Sequence, residues 1–278
     1  MPKPRVFVSR KIPEAGLEWI QAWTEAEIWP DEEPPPYDVL VQKASGVAGL
    51  VCLLTDRIDR TLLSAASESL KVISQMAVGV DNIDVGAATE RGIPVGNTPG
   101  VLTETTADFA FALLMTAARR VVEAERFVKA KRWKTWGPTL LMGQDIHRST
   151  LGIVGFGRIG QGVAMRATGF EMRVLCHDPH IDPAVPREFG AEPVSLSELL
   201  EGSDFVSLHV PLTEDTVHLL GVQELEQMKP SAILVNTSRG GVVDPEALYR
   251  ALRDGGIAYA ALDVTEPEPI PPDDPLLT

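Results

Sequence analysis

Apolar residues in this chain fall into short, nearly continuous runs rather than strict alternation. Residues 5–9 (RVFVS), 46–54 (GVAGLVCLL), 71–76 (KVISQM) and 93–97 (IPVGN) have strand length. Residues 60–70 (RTLLSAASESL) and 82–92 (NIDVGAATERG) between them read as helices. Strands that are apolar on both faces and separated by helices predict a parallel sheet covered on both sides. The proline- and acid-rich stretch 29–40 (WPDEEPPPYDVL) reads as a loop. Residues 101–120 (VLTETTADFAFALLMTAARR) form the longest predicted helix, with Glu104 near its start and Arg119 and Arg120 at its end, as the helix dipole favours. Its interior is apolar nearly all round, which predicts burial, between domains or subunits. Residues 129–143 (KAKRWKTWGPTLLMG) break at Gly137-Pro138 and read as a loop.

From Ser149 the rhythm returns more clearly. Strands are predicted at 149–155, 172–178, 205–210, 232–238 and 257–264, and helices at 158–170, 195–203 and 244–256. The fold class is therefore α/β, with two Rossmann-like doubly wound parallel-sheet domains. Residues 1–98 form one and residues 99–278 the other, with the helix at 101–120 near the seam.

Composition narrows the function. The 278 residues carry a formal charge of −14, which repels nucleic-acid backbones and anionic lipid and argues against both as partners. Cys52 and Cys176 are far apart, each within an apolar run, and read as buried free thiols in a reducing compartment. The N-terminus has no signal-peptide pattern and the apolar run 109–118 is far short of a membrane span, so a cytoplasmic protein is expected. His177 and His180 flank Asp178, but no further ligands stand nearby and no metal is expected. The G-x-S-x-G and H-E-x-x-H patterns are absent, which removes the hydrolases that use them.

The strongest chemical signal is GFGRIG at 155–160. It follows a predicted strand and opens a predicted helix. Gly155 permits a tight turn, Gly157 lets backbone approach a pyrophosphate, and Gly160 lets the helix pack close to the sheet. With Arg158 and Ile159 at the helix start, these residues form a candidate anion site. Asp178 ends the next strand, 18 residues beyond Gly160. A carboxylate there accepts from the ribose hydroxyls and repels a 2′-phosphate, which favours NAD(H) while leaving NADP(H) possible. Arg239 follows the apolar strand of AILVNTSRGG, at the sheet end where such folds bind ligands. Its guanidinium suits a carboxylate or a polarised carbonyl.

In order along nearly the whole chain, the stretches GLVCLLTDRID, AVGVDNID, GNTPGVLTETTAD, GIVGFGRIGQ, SLHVPLTEDT, ILVNTSRGGVVD and AALDVTEPEPIPPDDPLL resemble the D-isomer-specific 2-hydroxyacid dehydrogenase family. CLLTDRID, KTWGP and LDVTEPEPIP resemble its glyoxylate/hydroxypyruvate reductase branch. The resemblance implies a homodimeric, two-domain reductase of small 2-oxo acids, with nicotinamide between the domains. It makes Arg239 and Glu268 catalytic, with Glu268 raising the pKa of an acid histidine. Val78 and Gly79 become backbone donors to the substrate carboxylate. Pro211, Thr237 and Asp263 become cofactor contacts, and Trp136 part of an arm reaching the partner subunit. The family's acid histidine would lie beyond residue 278, and none of His147, His177, His180, His209 or His218 stands in its place. The chain is thus expected to be part of a longer protein, to bind NAD, and to reduce 2-oxo acids poorly, with a sheet edge left bare. The alternatives are another dehydrogenase of the family, of phosphoglycerate, D-lactate or formate type, and a non-catalytic NAD-binding regulator.

Overall fold

The computed structural model describes residues 2–277, which divide into two compact units that part between Leu102 and Thr103. The division falls after Leu102, where the sequence pattern had suggested 98. The first unit runs β1 (Arg5–Val8), α1 (Glu14–Trp23), β2 (Glu25–Ile28), α2 (Tyr37–Ala44), β3 (Gly49–Cys52), α3 (Arg60–Ala65), β4 (Val72–Gln75), α4 (Val85–Glu90) and β5 (Val95–Gly96). Its sheet is parallel throughout, in the order β2-β1-β3-β4-β5. The chain reverses its direction of travel between β1 and β3, so the loops after those strands border a ligand-binding crevice of this fold type. One face of the sheet packs Phe7, Leu50, Cys52 and Ile73 against Leu40, Leu62 and Leu63, all fully buried or nearly so.

The second unit runs α5 (Thr103–Ala118), α6 (Val121–Lys129), β6 (Thr150–Val154), α7 (Arg158–Thr168), β7 (Arg173–His177), α8 (Ala184–Glu188), β8 (Ala191–Pro193), α9 (Leu196–Gly202), β9 (Phe205–Leu208), α10 (Val222–Gln227), β10 (Ile233–Asn236), α11 (Pro245–Arg253) and β11 (Tyr259–Leu262). Its strands are also all parallel, in the order β11-β10-β9-β6-β7-β8. The reversal here lies between β6 and β9. The two faces are buried in separate clusters, one around Leu151, Ile153, Phe156 and Phe205, the other around Val154, Leu208, Leu234 and Leu248.

Several elements differ from the sequence reading. The helix expected at 101–120 stops at Ala118, and Arg120 turns left-handed (φ 51°) to start α6. The Arg120 guanidinium holds both oxygens of Glu123 one turn on, fixing the new start. Helix α5 buries Ala107, Ala110, Phe111, Leu114, Ala117 and Ala118, while Phe109 and Met115 stay exposed. Burial is therefore one-sided within this unit and not all round. The loop expected at 29–40 ends early, because α2 begins at Tyr37 behind Pro36. Helix α1 and strand β2 had no clear apolar signature, since α1 buries only Leu17.

Both thiols are buried and unpaired. Burial pushes Cys52 up to about 12, helped by the Asp56 charge, and Cys176 up to about 11, helped by Asp178. Thiolate is the reactive form, so both should stay silent toward Ellman's reagent at pH 8 in the native protein. Both should react once guanidinium unfolds the chain. Rapid native labelling would show that one of these strands opens readily.

Candidate active site

The glycine loop sits at the reversal point of the second sheet, between the ends of β6 and β9. Each glycine answers a different local demand. Gly155 is left-handed (φ 89°), and a Cβ there would come within 2.7 Å of the His209 carbonyl carbon. A Cβ at Gly160 would collide with the Gly155 carbonyl oxygen and sit 3.2 Å from Ile153 Cγ2. A Cβ at Gly157 would meet nothing. Gly160 thus lets helix and strand meet, Gly155 lets the loop pass the backbone at His209, and Gly157 leaves room at the mouth.

Gly157 caps α7, and no side chain bonds to the first turn. The N–H groups of Arg158, Ile159 and Gly160 have no intrahelical acceptor. They point out of the helix at its positive end, as an anion site requires. The Asp178 carboxylate, just past β7, accepts from Phe156 N at 2.8 Å and from His180 N at 3.0 Å. It ties the glycine loop to the next strand and remains partly exposed. Thr237, just past β10, is buried and its Oγ1 has no partner. A buried hydroxyl left unpaired is costly, so a ligand that hydrogen-bonds it gains affinity. Open space at Gly157, an uncapped helix and an orphan hydroxyl fit a dinucleotide.

The other residues of this unit lie around the same strand ends. Asn236 Nδ2 donates to the Arg239 carbonyl at 2.9 Å, and Arg239 Nη1 donates to Ser238 O at 2.8 Å. Gly240 packs so tightly on Thr265 that any Cβ would overlap its carbonyl. Asp263 N donates to Asn236 O at 2.9 Å, and the Asp263 side chain is exposed. Pro211 is exposed beyond β9, its carbonyl accepting from Thr216 Oγ1 at 2.6 Å. Glu268 is exposed and accepts only weakly from Thr265 N, at 3.4 Å. The neighbouring Glu266, which the sequence did not single out, is the one that meets a histidine: His218 Nε2 lies 3.0 Å from its Oε2. His177 Nδ1 faces Val194 O at 3.1 Å, and among the described residues no group of three metal-ligating side chains forms.

In the first unit, the turn after β4 shows a one-sided hydrogen-bond pattern. Four successive carbonyls are occupied. Ala77 O accepts from Thr98 N (2.9 Å), Val78 O from Asn97 Nδ2 (2.8 Å), Gly79 O from Gln75 Nε2 (3.3 Å) and Val80 O from Ile83 N (2.9 Å). The N–H groups of Val78, Gly79 and Val80 donate to no acceptor among the described residues. None of these three residues is buried. Consecutive free N–H groups at a sheet edge make an anion cradle. Asn97 and Gln75 were not foreseen as part of it. Their signal was present: side-chain amides at strand ends where the pattern calls for apolar residues.

This is a two-unit α/β protein that binds NAD(H) or NADP(H), with consecutive main-chain N–H groups left open at the turn after β4. Residues 111–278 match the family model "D-isomer specific 2-hydroxyacid dehydrogenase, NAD binding domain". The chain is 59% identical over 276 residues to a glyoxylate reductase of Korarchaeum cryptofilum, covering 99% of this chain and 83% of that one. It is 53% identical to a glyoxylate reductase of Thermococcus litoralis, covering 96% and 82%. Among solved structures, the TT0316 protein from Thermus thermophilus superposes with a TM-score of 0.90 at 47% identity, over 98% of this chain and 86% of that one. A glyoxylate reductase from Paecilomyes thermophila superposes with a TM-score of 0.87 at 34% identity, over 100% and 86%. The chain belongs to the D-isomer-specific 2-hydroxyacid dehydrogenase family, and is an NAD(P)-dependent oxidoreductase acting on 2-hydroxy acids. No described helix is long and apolar enough to cross a membrane.

The glycine loop and its neighbour His209 can each be tested. Gly160→Val should cost about 1–3 kcal/mol or more in a denaturant titration, since backbone must move. Gly157→Ala should melt near wild type yet lose at least about tenfold in NADH affinity by fluorescence titration. His209 Nε2 lies 2.8 Å from Ser207 Oγ. The residue keeps some solvent exposure, but protein packed around the ring disfavours its charge and lowers the pKa to about 4. Between about 6.5 and about 4 the unfolded chain takes up a proton that the folded one refuses. Stability should therefore fall as pH drops through that window. His209→Gln should flatten that part of the profile in pH-dependent melts.

Proposed function

We propose that the protein reduces glyoxylate or hydroxypyruvate to the D-2-hydroxy acid with NADH as the donor. The observation that carries this reading is the cradle of unpaired N–H groups at Val78–Val80, suited to a small carboxylate. It occurs in a chain whose other unit fits a dinucleotide. Relatives named glyoxylate reductase, at 47–59% identity, support the choice of acid.

On this reading residues 1–98 serve as the substrate domain and the remainder, through 278, as the dinucleotide domain. The N–H groups of Val78 and Gly79 hold the substrate carboxylate. The bound nicotinamide supplies hydride to the carbonyl carbon. The carbonyl oxygen gathers charge as this happens, and the Arg239 guanidinium stabilises that charge. Glu268 takes the role the family resemblance gives it, partner of a proton-donating histidine that none of the chain's own five histidines supplies. Gly155, Gly157, Arg158, Ile159 and Gly160 cradle the pyrophosphate, Thr237 and Asp263 meet the nicotinamide side, and Pro211 lines the adenine side. Asp178 takes the ribose hydroxyls and selects NAD(H) over NADP(H).

The exposed apolar residues Phe109, Met115, Val121, Val122 and Val128 support a homodimer formed through α5 and α6. Trp136, 77% exposed, belongs to the arm that reaches the partner. Two buried free thiols support a cytoplasmic setting.

A panel of glyoxylate, hydroxypyruvate, pyruvate and 3-phosphohydroxypyruvate, each with NADH and NADPH, tests the reading. The first two acids with NADH should give the highest kcat/KM, even where turnover is slow. Asp178→Ala should weaken NADH at least about tenfold and shrink the gap to NADPH. Equal use of both cofactors by the wild type would remove the role given to Asp178. A preference for the phosphorylated acid would remove the substrate assignment.

A further inference from the structure

Gln75 is out of place by the pattern of its own strand. In β4 the inward positions are Ile73 and Gln75, and Gln75 is 1% exposed. A buried amide is tolerated only when its donors and acceptor are all used. Here they are. Cys52 Sγ donates to Gln75 Oε1 at 3.1 Å. Gln75 Nε2 donates to Asn82 Oδ1 at 2.7 Å and to Gly79 O at 3.3 Å.

The direction of this chain of bonds is dictated from its far end. Asn82 Nδ2 donates to two backbone carbonyls, Leu53 O at 3.0 Å and Asp56 O at 2.8 Å. Carbonyls accept and cannot donate, so Asn82 must turn its NH₂ toward them and its Oδ1 toward Gln75. Gln75 must then present NH₂, not oxygen, to Asn82. Its remaining N–H is aimed at Gly79 O. Two carbonyls in the loop after β3 thereby determine which way the Gly79 carbonyl faces, in the turn after β4.

We infer that Gln75 is a positioning residue for substrate binding, holding the Gly79 carbonyl inward so that the Val80 N–H, the third donor of the Val78–Val80 turn, stays turned out toward the carboxylate. In a trans peptide C=O and N–H point in opposite directions. Anchoring the Gly79 carbonyl on a buried amide therefore sets the plane of the Gly79–Val80 peptide. Without that anchor the plane is free to rotate, and the cradle loses its Val80 donor while Asn97 and Thr98 still hold the two peptides before it. The inference rests on the proposed role of this turn as the carboxylate site.

The test uses oxamate, a carboxylate-bearing mimic of a 2-oxo acid, titrated into the full chain loaded with NADH. Gln75→Leu removes every bond of the amide, and Gln75→Glu keeps its shape. The carboxylate introduced by Gln75→Glu would face two acceptor oxygens and be repelled, whereas its acid form can donate once. Both variants should lose at least about tenfold in oxamate affinity with NADH affinity unchanged. In Gln75→Glu the loss at pH 8.5 should shrink at pH 6, a pH response absent from wild type and from Gln75→Leu. Folded variants with wild-type oxamate affinity would overturn the inference while leaving the cradle standing. So would a loss shared equally by oxamate and NADH together with a lowered melting temperature, which marks a role in folding only. If the wild-type chain loaded with NADH does not bind oxamate at all, the carboxylate role of the turn fails, and the role of Gln75 fails with it.

Discussion

The closeness of α7 to β6 is the constraint on which the second unit depends. A helix that starts immediately behind a strand must cross the strand's own carbonyls; a side chain at Gly160 would occupy that crossing, and one at Gly155 would strike the backbone at His209. With hydrogen in those places, the first turn of α7 stands at the reversal point of the sheet, its N–H groups facing out. The rest of the site is organised around this. Asp178 reaches back to Phe156 N and ties the loop to β7, while the backbone at His209 closes the other side from β9. Thr237 and Asp263 follow because β10 and β11 extend the same sheet and end at the same edge.

The first unit solves a related problem with different means. Its turn after β4 is held by side-chain amides rather than by absent side chains. Gln75, Asn82 and Asn97 occupy the carbonyls of the turn or fix those that do. A neighbouring network continues the theme: Asp56, 2% exposed, accepts from Leu53 N at 2.7 Å and from Ser9 Oγ, drawing together the loops after β1 and β3. Buried polar groups of this kind are worth little net energy if satisfied and cost much if not. Their effect is to permit one arrangement of the loops and penalise the others.

How much of this was legible in the sequence depended on whether the cause was local. The strands at 49–52, 150–154, 173–177, 205–208 and 233–236 announced themselves as apolar runs because both of their faces are covered. The glycine loop was legible because its three glycines stand at a fixed spacing between an apolar run and a helix start, all within a few residues. Strand β2, with the sequence EAEI and only partial burial, carries no such run, and α6 buries none of its residues. The break at Arg120 arises from a left-handed residue and an ion pair with Glu123, neither of which hydrophobic pattern reports. The amides around Val78–Val80 escaped for a different reason. Asn97 lies 19 residues from Val78, and its partnership exists only once β4 and β5 pair. The His218–Glu266 contact spans 48 residues and was equally out of reach.

Both candidate anion sites are built from main chain: the start of α7 and the turn at Val78–Val80. A main-chain donor is not specified by any one codon. Exchanging Val78, Val80, Arg158 or Ile159 for another residue changes what surrounds the N–H but leaves the N–H itself, and proline alone deletes it. The chemistry of gripping the two anions is thereby insulated from most point mutations at the contact positions themselves. The vulnerable positions lie one layer back, at the glycines and amides that set the path of the backbone. In this protein the residues nearest a ligand are the ones most open to retuning for shape and selectivity, and those behind them are the ones least free to vary.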